Sequence, residues 1–152
     1  MFENGPMSTS VEPEYRSHVT LTLLGAELDP RSASDLLRLR PTHTWTKGEQ
    51  KRTPLGKVLA SGALHQWGGW KKSLPVSQAA RPFAFQLRFW ARKLRNKAQI
   101  LAQLSSQGTE CSLDCYVASS ATASIIIPTD LQSEIAKLGL ELRLSFFASQ
   151  CA

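Results

Sequence analysis

Between Arg31 and Lys97 the chain has almost no acid: Asp35 and Glu49 stand against fifteen Lys and Arg, while the remainder holds three basic and ten acidic residues. The formal net charge of +6 therefore hides a basic middle and acidic ends. Such a pattern either builds a field for an anionic partner or is neutralised within the fold. Cysteine is scarce as well. Cys111, Cys115 and Cys151 are odd in number and lack CxxC spacing, which argues against a disulfide framework and fits a reducing cytoplasm. Together with His18, His43 and His65 they show no finger or ribbon spacing, so buried thiols and scattered histidines are expected rather than a metal site. No apolar run approaches the roughly 20 residues that cross a bilayer, and the N-terminus lacks a basic start followed by an apolar stretch. Neither membrane insertion nor secretion is expected. HExxH, GxSxG, the P-loop and GxGxxG with a following acid are all missing, so the chain offers no catalytic constellation and no cofactor motif.

What is present reads as one folded domain. A length of 152 residues, with 42% hydrophobic and 20% charged, lies in the ordinary globular range. Residues 1–15 carry Gly, Pro, Ser and Glu without periodicity and are expected to form a mobile leader, within which Met7 offers an alternative start. Residues 16–148 then form a single domain and 149–152 a tail.

"HVTLTLLG" alternates Val19, Leu21 and Leu23 with Thr20 and Thr22, the pattern of a half-buried strand. Asp29 and Pro30 open a short helix as N-cap and first residue; it is expected to run to about Arg38, packing Leu36, Leu37 or Leu39 inward, with Pro41 as its stop. A short strand over 42–46 leads into a turn-rich, mobile basic loop, 47–57, and a second strand is expected over 63–73. From Pro82 the spacing of Phe83, Leu87, Trp90, Leu94, Leu101 and Leu104 predicts a long helix. A weaker stripe, Phe85, Phe89 and Ile100, means that this helix is covered on two sides or breaks near Arg95 and Asn96. "ECSLDCYVAS" and "TASIIIP" read as strands, with Cys111 and Cys115 on the face of Leu113 and Val117. A last helix is expected with Thr129 as N-cap, Gln132 completing a capping box and Gly139 at its end. "LELRLSFF" closes the domain with Leu140, Leu142, Leu144 and Phe146 facing inward. Strand–helix–strand order recurs faintly at the two ends. The expected class is α+β, a largely antiparallel sheet with one long and two short helices.

Several of these fragments together resemble a known family. "LLGAELDPRSASDLLRLRPTHTWTKGE", "GGWKKSL", the long helix, "LDCYV" and "LQSEIAKLGLELRLSFF" occur in the order found in the small bacterial family described as domain of unknown function 4279, over about residues 18–147. The chain departs from that pattern in an insertion around residues 53–60 and in the basic character of its helix. The resemblance brings no catalytic, cofactor or metal residue with it.

Candidate sites follow from charge and aromatics. In "HQWGGWKKS", Trp70 is expected in the core, while Trp67 with Lys71 and Lys72 suits an aromatic, basic contact patch. Phe85, Arg88, Phe89, Arg92 and Arg95 on the long helix form the main candidate partner surface. Lys47, Lys51, Arg52 and Lys57 form a basic loop. Asp29, Asp130 and Glu134 suit helix starts, where a carboxylate complements the dipole, better than catalysis. The first functional expectation is a non-catalytic cytoplasmic module that binds an acidic protein partner, in a regulatory or immunity-type role. A second is nucleic-acid binding, if the loop and the helix lie side by side. An enzyme without a recognised signature is the third.

Overall fold

The computed structural model describes residues 15–53 and 55–148. Its frame is a five-stranded sheet in the order β2-β3-β1-β4-β5. The central strand β1 (Arg16–Gly25) pairs antiparallel with β3 (Gly68–Lys72) and with β4 (Glu110–Ser119). The edge strand β2 (His43–Trp45) is antiparallel to β3, and the opposite edge, β5 (Glu141–Ala148), runs parallel to β4. The expected α+β class and the mostly antiparallel pairing are therefore those of the fold. Apart from Tyr15, which packs against the core, the leader lies outside the described residues, as does the tail.

Alternation in β1 and β4 decides which side chains meet the helices. Val19, Leu21 and Leu23 stand level with Cys115, Leu113 and Cys111, and all six are buried. Trp70 joins them beside Leu23, its indole N–H donating to Ser34 Oγ at 2.9 Å. Onto this face pack α1 (Pro30–Leu37), α3 (Phe83–Lys93), α4 (Ala98–Ser106) and α5 (Thr129–Lys137), each adding buried side chains to one core. Trp90 of α3 is fully buried and donates to the Val19 carbonyl at 2.9 Å, which ties the helix to the centre of the sheet. The opposite, polar face carries Thr22, Lys71, Asp114 and Arg143 and takes no part in that core.

Asp29 caps α1 as expected, its carboxylate accepting from the Arg31 amide at 3.2 Å. The helix ends at the expected place, with Arg38 as its C-terminal cap turning left-handed (φ 55°) and its amide donating to the Ser34 carbonyl at 2.8 Å.

Other expectations are corrected. Of the two courses open to the long helix, the break near Arg95 and Asn96 is the one taken: it is two helices, α3 and α4, joined by a corner at residues 94–97 in which the Lys97 amide donates to the Leu94 carbonyl at 2.8 Å. Both the Phe83–Leu94 stripe and the Leu101–Leu104 stripe are buried in the core. A one-turn helix, α2 (Val76–Ala79), precedes α3 without a sequence signal. The second strand is confined to Gly68–Lys72, shorter than 63–73. "TASIIIP" makes no ladder: Ile125 and Ile127 lean on the core while Ile126 is 78% exposed, so the second copy of the faint repeat lacks its first strand. Pro128, not Thr129, is the cap residue of α5, and Gln132 donates to the Ile127 carbonyl at 2.8 Å instead of closing a capping box. Gly139 does adopt the left-handed turn expected after the helix, with φ 72°. Phe146 keeps the inward parity of Leu142 and Leu144 yet is 67% exposed near the end of edge strand β5, where it does not join the hydrophobics packed on the core.

Candidate partner-binding groove

The spacing of α3 produces two faces with opposite chemistry. Phe83, Leu87 and Trp90 point into the core, which leaves Phe85, Arg88, Phe89 and Arg92, at helical spacings of three and four, sharing the outer side. Gln86 fixes the approach to this helix: its buried side-chain amide donates to the carbonyls of Ser17, Ala79 and Arg81, tying β1, α2 and the α2–α3 corner together. Arg81 is thereby held with its guanidinium over the Phe85 ring, 5.2 Å from the centroid. The result is an open cavity of about 420 Å³ lined by Gln78, Arg81, Phe85, Arg88, Phe89, Arg92 and Lys93.

Four cations and two phenyl rings thus share one groove. Phe85 is 50% exposed, whereas Phe89 is half-buried and meets Trp90 edge-on at 5.2 Å. Among the described ion pairs, one involves a cation of this groove: Arg88 reaches Asp130 at the start of α5, at 3.1 Å. The guanidinium holds that carboxyl below its usual range, which fits a structural link between helices. Arg81, Arg92 and Lys93 have no carboxylate partner among the described residues.

The structure assembles part of the candidate surface expected from sequence and disperses the rest. Phe85, Arg88, Phe89 and Arg92 line the groove together; Arg95 lies exposed at the α3–α4 corner and does not. Lys71 and Lys72, adjacent in β3, fall on opposite faces of the sheet and cannot share a patch. Lys71 stands on the polar face, its ammonium 5.7 Å from the Trp45 ring centroid. Lys72 stands on the helix side and donates to the Arg40 carbonyl at 2.8 Å. Burial, then the nearby charges of Lys93 and Arg40, hold the Lys72 ammonium below the ordinary lysine range. Trp67 precedes β3 and is 41% exposed, while Trp70 is core, as its position in the strand suggested.

The basic segment bearing Lys47, Lys51, Arg52 and Lys57 folds back on itself. Gly48 and Lys51 amides donate to the His65 and Ala63 carbonyls at 2.8 Å, and the Thr53 amide to Lys57 at 2.7 Å. His65 stacks on Trp45 (4.8 Å, 21°), and Trp45 lies flat where a side chain at Gly69 would otherwise stand. This arm is therefore anchored on the polar face, opposite α3. The loop and the helix do not merge into the single electropositive surface that nucleic-acid binding through both segments requires.

The polar face carries a second, smaller groove of about 280 Å³ that sequence reading passed over. Thr22 and Ser112 hydroxyls donate to Asp114 at 3.0 and 3.2 Å, and Arg143 lies 4.0 Å from Asp114 and 3.8 Å from Glu110. Tyr116 and Phe147 stack at 5.4 Å at its end. These residues occupy the outward positions of their strands, which looked merely solvent-facing; only strand order brings them together. Arg81 and Gln78 were also missed, although the Arg81–Phe85 spacing of four was readable. Cys111 and Cys115 are buried free thiols, pushed up by burial to about 11 and about 12, and so are protonated and unreactive at neutral pH. Among the described residues no group of three or more His, Cys, Asp or Glu could hold a metal ion, and no described helix is long and apolar enough to cross a membrane.

Comparison with known proteins adds the family. No curated protein and no solved structure matches the chain. The family model described as "Domain of unknown function (DUF4279)" matches residues 13–147, which cover every described helix and all of the sheet but the last residue of β5. The chain belongs to the DUF4279 family.

Proposed function

We propose that this protein is a small non-catalytic binding module, acting in the cytoplasm in a regulatory or immunity-type role, that holds an acidic protein partner in the groove along α3. The observation that carries this reading is the co-location of Arg81, Arg88, Arg92 and Lys93 with the half-exposed Phe85 and half-buried Phe89 in one cavity. A row of cations steers an acidic segment to the surface and sets its register; the phenyl rings supply the desolvated contact that makes a complex last. Arginine suits this role because its planar fork grips a carboxylate with two hydrogen bonds while its face stacks on an aromatic ring. The free buried thiols are compatible with a reducing compartment.

Nucleic-acid binding uses the same cations but gives the phenyl rings little to do. Fluorescence anisotropy with a labelled peptide of alternating Glu and Leu, and with a labelled single-stranded oligonucleotide, each across a salt series, separates the two. The peptide is expected to bind, and Phe85→Ala combined with Arg92→Ala to weaken it by about tenfold or more. Tight, steeply salt-dependent binding of the oligonucleotide that ignores Phe85→Ala would instead give the groove to nucleic acid.

A further inference from the structure

The chemistry that the α3 groove does not use lies on the other side of the sheet. All five strands contribute to the groove of about 280 Å³ there: Trp45 from β2, Lys71 from β3, Thr22 from β1, Asp114 and Tyr116 from β4, and Arg143 from β5. Its floor is fixed. Thr22 and Ser112 are buried, and their hydroxyls donate to the two oxygens of Asp114 at 3.0 and 3.2 Å, so that a carboxylate with only 16% of its side chain exposed is held in one orientation. A carboxylate accepts at about four lone-pair positions, which leaves about two for a donor entering from the groove. The cations beside it are not consumed by the fold. Arg143 comes no nearer than 4.0 Å to Asp114 and 3.8 Å to Glu110, outside hydrogen-bond reach, and none of the described ion pairs includes Lys71. A network that serves the fold alone closes its arginine onto the carboxylate with short, paired hydrogen bonds; here neither carboxylate meets the guanidinium fork. The walls are aromatic. Trp45 is held on Gly69 and stacked by His65, and Tyr116 is backed by Phe147 at 5.4 Å.

We propose that this groove is a ligand site for a small acidic sugar, a single pyranose ring that carries a carboxylate. The ligand carboxylate lies between Lys71 and Arg143, a ring hydroxyl donates to Asp114, and C–H groups of the ring meet Trp45 and Tyr116. Charge complementarity selects the occupant: two cations face one carboxylate, so a ligand with one negative charge completes the groove, and the acceptor on the floor requires hydroxyl donors on the same molecule. A bare anion leaves Asp114 and the rings unused, and a neutral sugar leaves the cations unused. The volume, at the lower end of small-molecule sites, suits one ring and not a chain. The site is separate from the α3 groove and does not rest on the reading of that groove.

The test is a backbone NMR titration of the full chain with glucuronate, glucose and acetate, at constant ionic strength set by chloride. Saturable shifts with glucuronate are expected in the amides around Thr22, Lys71, Asp114, Tyr116 and Arg143, with glucose and acetate each about tenfold weaker or more. Lys71→Met and Tyr116→Ala, whose side chains lie outside the core, should each weaken glucuronate by about fivefold or more, while Phe85→Ala in the α3 groove leaves it unchanged. The spectrum of each variant shows separately that the fold is kept. Equal saturation by acetate makes the groove a general anion site and overturns the sugar. Equal saturation by glucose takes the cations out of recognition and overturns it as well. Glucuronate binding that survives both substitutions, or no saturation with any of the three, overturns the site itself.

Discussion

On one side of the sheet Val19, Leu21, Leu23, Leu113 and Cys115 meet the apolar faces of the helices; on the other, Thr22, Ser112, Asp114 and Arg143 meet one another. Both sets alternate along the same strands, so the difference comes from what the connections place over each face. Every major helix is joined to the sheet by segments that return to one side, and the apolar residues of β1 and β4 follow them there. The polar face receives the basic arm, held by one aromatic stack, in place of a helical layer. The helix layer in turn presents its own outer surface, and the cationic groove is cut into that layer, not into the sheet. The proposed partner-binding residues sit one layer above the core.

The sharpest way to break this comparison is alkaline titration. The two thiols on the helix side have folded values raised from 9.0 to about 11 and about 12. A thiol whose folded value is raised keeps its proton longer in the folded state than in the unfolded one, so its stabilising effect is present below the unfolded value and is lost as pH rises above it. Stability is expected to hold to about pH 9 and then to fall by on the order of 5 kcal/mol toward pH 11, as both sites contribute. Thiolate absorbance near 240 nm in a Cys151→Ser background should rise only together with unfolding. Early thiolate signal from a folded protein would mean that the helix side is open to water.

Tryptophan replacement gives the next effect in size. Trp90→Ala removes a fully buried ring and its bond to Val19, and is expected to cost about 3–5 kcal/mol. Trp45→Ala, on the polar face, should cost only about 1–2 kcal/mol, because one side of its ring rests on Gly69 while the rest is only partly covered. Urea unfolding of the two variants measures the contrast directly; equal losses would show that the polar face is as structural as the core.

The smallest stability effect is the most informative for function. Phe85→Ala should change unfolding free energy by about 0.5 kcal/mol or less, since half of the side chain is already in water, while weakening the peptide complex. A larger destabilisation would make Phe85 part of the packing and remove it from the candidate surface.

How far the candidate site was legible depended on distance along the chain. Phe85, Arg88, Phe89 and Arg92 could be grouped from helical spacing, because a helix brings residues three and four apart together whatever surrounds it. Lys71 and Lys72 were misgrouped for the converse reason: in a strand, adjacency in sequence means opposite faces. Whether the arm lies beside α3 was left as a condition, because charge says nothing about which side of a sheet a connection takes.

By itself the sequence determined the local elements whose signals are short-range: the alternating strand β1, the Asp29 cap with Pro30, the glycine turn after α5 and the amphipathic stripe of α3. Each depends on sterics and hydrogen bonds within a few residues. Tertiary structure decided which of the two courses open to the helix after Pro82 is taken, the unpaired course of residues 122–128, the exposure of Phe146 and the meeting of Thr22, Asp114 and Arg143 on the polar face. Those depend on which elements are neighbours in space. A strand needs a partner to be a strand, an inward side chain needs a layer above it to be buried, and a polar cluster built from separate strands exists only once the sheet order is set.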